Sequence, residues 1–266
     1  IRLQSQRTLL LWSALLHATG GSLRPEKCRW VLIDFHWKAG KAHYKKIQDE
    51  PGTLMAYNSD RRLDIVKRIE PSANVEILGV WMNTIGTDEK EYSRTTENIN
   101  EWNEKMTTGT IQKKAASTAL RSTIYRTVTY RLPATQFTPT QCETLTRKLH
   151  YNVISKMGIN KRLANAYRFA PPSLNGLDLM NVRLEQFICH LMEFTLHTGR
   201  DTLNGMAHQA EMELCHLYIG SEHNIWTLPY HSYEHLLPKC EMKYMLCECD
   251  HYNVKIKGEY ERPKVH

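Results

Sequence analysis

The sequence predicts an α+β chain: one helix, an antiparallel sheet, then a helical bundle. Three observations carry this. Residues 3–18 bring Leu11, Leu15 and Ala18 onto one helical face, widened by Leu9, Trp12 and Leu16. Residues 29–82 hold short apolar segments between turn signals and show no helical period. From Thr87 onward the apolar residues return to steps of three and four.

The first helix ends at Gly20-Gly21, because glycine takes a left-handed conformation without strain. Pro25 then fixes a turn that leads into an apolar run, Trp30–Phe35. Trp37–Lys41 reads as a turn, with a return strand over Ala42–Ile47. Pro51-Gly52 and Asn58-Ser59-Asp60 punctuate the strands Leu54–Tyr57, Leu63–Ile69 and Val75–Met82. With no crossover helix in this region, the sheet is expected to be antiparallel.

Asp88, Glu89 and Glu91 suit the positive end of a helix carrying Tyr92, Ile99, Trp102 and Met106. After a break at 107–110, a second helix covers 111–130. Thr138-Pro139-Thr140-Gln141 has the form of a capping box with proline at the first turn, and opens a third helix ending at Gly158. The short link at Leu132–Thr135 makes helices two and three antiparallel neighbours. A Pro171–Gly176 loop precedes helices over 181–197 and 201–219. Residues after Ser221 show little periodicity.

At 266 residues, 41% hydrophobic and 24% charged, the chain can bury a core. It has no run of 18 apolar residues, so no membrane span is expected. Seven scattered cysteines argue for reduced thiols in an intracellular protein, nuclear or cytoplasmic. Charge is unevenly placed. Between Lys105 and Arg168 stand twelve Lys or Arg and one acid, Glu143, so this window is +11 in a chain of +7. Such one-sidedness fits a phosphate-backbone binder, or else a solvated basic face.

Three motifs resemble reverse transcriptases of non-LTR-type retroelements. The helix, small-residue turn, lysine and strand around Gly21, Leu23 and Lys27 resemble the family's fourth palm motif, with Pro25 where Asn often stands. Ile77-Leu78-Gly79-Val80 resembles the primer-grip hairpin, and Pro171-Pro172-Ser173-Leu174-Asn175-Gly176-Leu177-Asp178-Leu179 the turn after the thumb. The resemblance covers roughly residues 1–200. It implies three parts: the C-terminal part of a palm over 1–86, thumb and following helices over 87–220, and a C-terminal extension of unassigned role over 221–266. The sheet would be the remnant of a polymerase palm.

The family's paired catalytic aspartates have no counterpart, since no two aspartates are adjacent in the chain. The resemblance therefore implies the end of a polymerase whose fingers and metal-binding palm strands lie outside this sequence, and which by itself does not polymerise. Mg2+ would belong to the complete parent enzyme. Two-metal catalysis needs bridging carboxylates. Asp34, Asp60, Asp64 and Asp88 are isolated and read as surface or turn residues.

Lys27 is the one catalytic candidate, as a general acid toward pyrophosphate; an exposed turn lysine is the plainer reading. Leu78 and Gly79 would position a primer end, or else form a simple bend. Lys113, Lys114, Arg121, Arg126, Arg147 and Lys148 would contact the phosphates of an RNA template–DNA primer duplex. Cys240, Cys247, Cys249 and His251 are potential soft ligands, but their spacing is not that of structural zinc sites. Two other readings stand beside the polymerase: a non-catalytic nucleic-acid-binding α+β protein with a basic helical bundle, and a helical domain whose basic face meets an acidic protein.

Overall fold

Helix α1 (Arg2–Ala18) runs along strand β4 (Leu54–Tyr57) and is tied to it by polar side chains. The Gln6 carboxamide donates to Met55 O at 2.8 Å and accepts from Met55 N at 2.9 Å, so one side chain makes the hydrogen bonds that a neighbouring strand makes in a sheet. His17 Nε2 reaches Asn58 O at 2.8 Å. The computed structural model describes residues 2–221 and 223–257; positions 258–266 of the expected C-terminal extension lie outside the described residues. The chain divides into two units, Ile1–Lys90 and Glu91–His266.

The first unit contains three small sheets. In the largest, β5 (Leu63–Arg68) lies between β1 (Arg29–Trp30) and β4. The β4–β5 pair is antiparallel, as expected, but β1 pairs with β5 in parallel. The connection between them carries a hairpin and β4, which is long enough to return the chain in parallel without a crossover helix. Val66 and Ala56 are buried on this sheet; Met55, Leu63 and Ile65 on its other side are exposed.

The apolar run Trp30–Phe35 is not one strand. Asp34 breaks it: its carboxylate accepts from Phe35 N at 2.8 Å and binds Lys45 Nζ at 2.6 Å. Strands β2 (Phe35–Lys38) and β3 (Lys41–Tyr44) then form a hairpin that pairs with no other strand. Strands β6 (Val75–Ile77) and β7 (Val80–Met82) form another, with Leu78 and Gly79 at its tip. Both tip residues have positive φ, 50° and 84°, the conformation that two-residue hairpin turns require.

The second unit is helical. Helix α2 (Glu89–Thr108) leads into α3 (Lys113–Ala119), a π-helical turn at Leu120–Ile124, and α4 (Tyr125–Thr129). The expected helix is therefore present with its hydrogen bonding widened in the middle. Ser122 and Thr127 donate to carbonyls four residues back, at 2.8 and 3.1 Å, competing for the acceptors of the helix ladder. The capping box of α5 (Pro139–Tyr151) is complete: Gln141 N donates to Thr138 Oγ1, and Thr138 N to Gln141 Oε1 at 2.8 Å.

A short α6 (Val153–Lys156) continues α5, and α7 (Asn165–Phe169) precedes the Pro171–Gly176 loop. Gly176 is fixed by contact: a Cβ there would overlap the Ala170 carbonyl. Helices α8 (Val182–His197) and α9 (Leu203–Ile219) follow, capped by Asn181 and Thr202, so the second starts two residues later than its expected Asp201.

Two apolar clusters fill this unit. One joins Ile99, Leu120, Val128, Leu145 and Leu149. The other joins Phe187 and Phe194 of α8 to Ile225, Tyr233 and Met245. Full burial of a Leu-sized side chain contributes about 1.5–3 kcal/mol. The segment after Ser221, weak in period, forms α10 (Glu241–His251) and belongs to the second cluster. The bidentate Arg183–Glu248 pair, with Nε–Oε2 at 2.9 Å, ties it to α8.

Candidate nucleic-acid interface

The basic window separates into bound and free cations. Arg131 is buried and pairs with the fully buried Glu91, Nε–Oε1 3.0 Å, while also donating to Thr95 at 3.2 Å. Its position was legible. Arg131 continues the stripe of Leu120, Ile124 and Val128 at helical spacing, which points inward.

Arg168 donates to the carbonyls of Leu163 and Lys161. Arg121 bonds Leu177 O at 2.8 Å and Asp178 at 3.2 Å, so it braces the loop after Gly176. Lys156 donates to Thr107 O at 3.1 Å and Gly109 O at 3.3 Å, closing the carbonyl end of α2.

The remaining cations include most of those expected to bind phosphate. Lys113, Lys114, Arg126, Arg147 and Lys148 make no side-chain hydrogen bond or ion pair among the described residues; Lys148 is half-buried and the others are exposed. Four of them stand near helix ends, Lys113 and Lys114 at the start of α3 and Arg147 and Lys148 toward the end of α5. Lys113, at the start of α3, lies over Gly158, just past α6. Arg147 and Lys148, in the last turns of α5, line an open groove of about 700 Å³ with Asn103, Thr107, Tyr151 and one acid, Glu104.

Asn103 Nδ2 donates to Lys148 O at 2.8 Å and fixes α2 against α5. Lys161 sits over the Tyr151 ring at 4.3 Å. Arg126, on α4, does not line this groove, and Arg121 is occupied by Leu177 and Asp178. The structure therefore brings Arg147 and Lys148 together at the groove and sets Lys113 beside the end of α6, while Lys114, Arg121 and Arg126 do not line the groove. Sequence spacing gave no sign of Asn103 or Tyr151, because their roles depend on which helices meet.

The back of α5 is buried and neutral. His150 and Tyr125 are buried 2.9 Å apart, and Met180 N donates to the Tyr125 hydroxyl at 3.1 Å. Burial pushes the tyrosine up to about 12 and the imidazole down to about 4, with the nearby Arg168 adding to the second shift. Positive charge on this helix therefore stays on its outer face.

In the first unit, Lys27 is exposed in the turn at 25–27 and makes no side-chain hydrogen bond or ion pair among the described residues. Leu78 is 85% exposed at the tip of its hairpin. Asp34 is held by Lys45, and Asp64 accepts from Asn58 at 2.7 Å. Among the described residues no group of three His, Cys, Asp or Glu could hold a metal ion. The residues present do not fit a Mg2+ pair.

The four soft ligands of the last segment are not assembled either. Cys247 and Cys249 project about 200° apart on α10. Cys240 caps that helix, its sulfur accepting from Lys243 N. A hydrogen bond from the Cys215 thiol and the helix amides pull Cys240 down to about 7 against its burial. No helix among the described residues is long and apolar enough to cross a membrane. Comparison with known protein families, curated proteins and solved structures returned no match to this chain.

Proposed function

We propose that the helical unit grips the phosphate backbone of an RNA–DNA duplex, acting as the thumb of a reverse transcriptase of non-LTR type. The observation that carries this is the pair of unpaired cations Arg147 and Lys148 lining the groove between α2 and α5, with the exposed Lys113 and Lys114 opening α3. Such contacts hold a duplex without reading its bases, as movement along a template requires. The family assignment rests on the three motifs, and the first unit then supplies the end of the palm. Its exposed sheet side, with Met55, Leu63 and Ile65, suits a sheet that further strands or a covering layer would complete.

No catalytic step is assigned to this chain. By the resemblance alone, Lys27 would be the proton donor to a departing pyrophosphate in the complete enzyme, which would also supply the carboxylates for Mg2+. An intracellular, reducing setting agrees with seven unpaired cysteines. A non-catalytic nucleic-acid-binding protein would use the same groove.

The test is binding to an RNA–DNA hybrid over a salt series, with Lys113, Lys114, Arg147 and Lys148 changed together to Ala. Each lost phosphate contact makes the slope of log affinity against log salt shallower by about 0.9, so four contacts change it by about 3.6. A wild-type chain with no affinity at low salt removes the duplex role.

A further inference from the structure

The β2–β3 hairpin has two chemically distinct faces and, among the described residues, no strand neighbour beyond itself. Alternation along the strands places Phe35, Trp37 and Tyr44 on one face. Phe35 and Tyr44 are direct cross-strand partners with ring centroids 4.8 Å apart, and Trp37 beside them is 75% exposed. The other face carries His36 opposite His43, stacked at 5.7 Å, and Lys38 opposite Lys41. Like charges directly opposite each other weaken a hairpin. Here the lysine pair flanks the Ala39-Gly40 turn, exposed at the tip on the face opposite the aromatic rings. The stem is clamped by Lys45, which binds Asp34 at 2.6 Å and Glu50 at 3.4 Å. Those carboxylates are engaged below the blade and do not neutralise its tip.

We propose that this hairpin is a binding surface for single-stranded nucleic acid. Unpaired bases stack on Trp37 and the Phe35–Tyr44 pair, and the adjoining phosphates are met by Lys38 and Lys41. Aromatic platforms beside backbone-tracking cations are what sequence-tolerant single-strand recognition uses. Charge complementarity favours a polyanion. The aromatic face favours bases over a lipid surface, because its fourth residue is Ala42 and it carries no longer aliphatic chain. The ribbon is only two strands wide, about 5 Å between backbones, so a strand crossing the rings can turn its phosphates round the tip. This surface belongs to the first unit and does not rest on the duplex reading of the second.

The experiment is fluorescence anisotropy on the whole chain, with a labelled 20-mer of oligouridylate and a labelled RNA–DNA hybrid. Trp37→Ala is expected to weaken oligouridylate about tenfold, as loss of a stacked base does, and to change hybrid affinity less than about twofold. Lys38→Ala with Lys41→Ala is expected to make the oligouridylate salt slope shallower by about 1.4, the contribution of two single-strand phosphates. All three positions are exposed, and circular dichroism checks that the variants keep the parent fold. Unchanged oligouridylate affinity in both variants overturns the proposal and leaves the lysines as guards of exposed strand edges. Trp37-dependent binding to phosphatidylserine vesicles without oligouridylate binding overturns it in favour of a membrane surface. Failure of the duplex reading is separate, and shows as hybrid affinity that does not depend on Arg147 and Lys148.

Discussion

In Ile1–Lys90 the apolar side chains buried among the described residues are Ala56, Val66 and Val80, beside Pro25 and Pro71, whereas Glu91–His266 buries two large clusters around Leu149 and Met245. The first unit meanwhile exposes Leu11, Trp12, Trp37, Ile65 and Ile77. It keeps its arrangement through polar links: Gln6 to Met55, His17 to Asn58, Lys45 to Asp34, and Glu70 to Ile47 N at 3.1 Å. Hydrogen bonds contribute about 0.5–1.5 kcal/mol each, less than a buried Leu-sized side chain. The comparison teaches that the helical unit carries its own stability, and that its polar groups matter most where they are buried.

The sharpest way to break that comparison is the buried ion pair. Arg131→Met takes the guanidinium away from the buried Glu91 carboxylate, and is expected to destabilise the helical unit by about 3–5 kcal/mol. Arg131→Met combined with Glu91→Met removes both charges and is expected to recover most of the loss. Urea unfolding of the three proteins checks this. Equal instability of single and double variants would show that the pair is not what the mutation broke.

Next in size is the response to acid. His150 is held neutral by burial, with its affinity for protons lowered from 6.5 to about 4. The unfolded chain therefore binds more protons between those values. Stability is full above pH 6.5 and falls as pH drops toward 4, by about 2 kcal/mol at pH 5. His150→Gln, which removes the titration, should flatten the change in urea midpoint between pH 7 and pH 5. If wild type and variant lose the same stability, the acid response comes from elsewhere.

The sequence was read most accurately where local chemistry decides the structure. The Thr138–Gln141 capping box needs only neighbouring residues and forms as expected, whereas the strand expected over Val75–Met82 is split by the Leu78-Gly79 turn into β6 and β7. Helix boundaries in the second unit, set as locally as that cap, fell within a few residues. What escaped was set by tertiary partners. Asp34 cut the apolar run because Lys45 comes back to meet it. The parallel β1–β5 pair joins residues nearly forty positions apart. The basic window was legible as a total, but charge counting cannot tell Arg131, buried on Glu91, from Arg147 at the groove. Arg121 was expected on a phosphate and is bound to Asp178.

The smallest expected effect asks how much one polar link matters in the unit with little core. Gln6→Ala removes both hydrogen bonds at the outer edge of β4 and leaves Met55 N and O to water. Because water replaces the lost partner at an exposed edge, the net cost is about 1 kcal/mol rather than that of two buried bonds. The readout is local. Exchange of the Met55 amide with deuterium should speed up, while the core amides of the helical unit and its urea midpoint stay as they were. If exchange at Leu149 and its neighbours speeds up as well, the two units unfold together, and the helical unit does not have the independent stability its clusters suggest. If Met55 keeps its protection, α1 is held to the sheet by contacts other than Gln6, and the polar account of the first unit fails at its best-defined link.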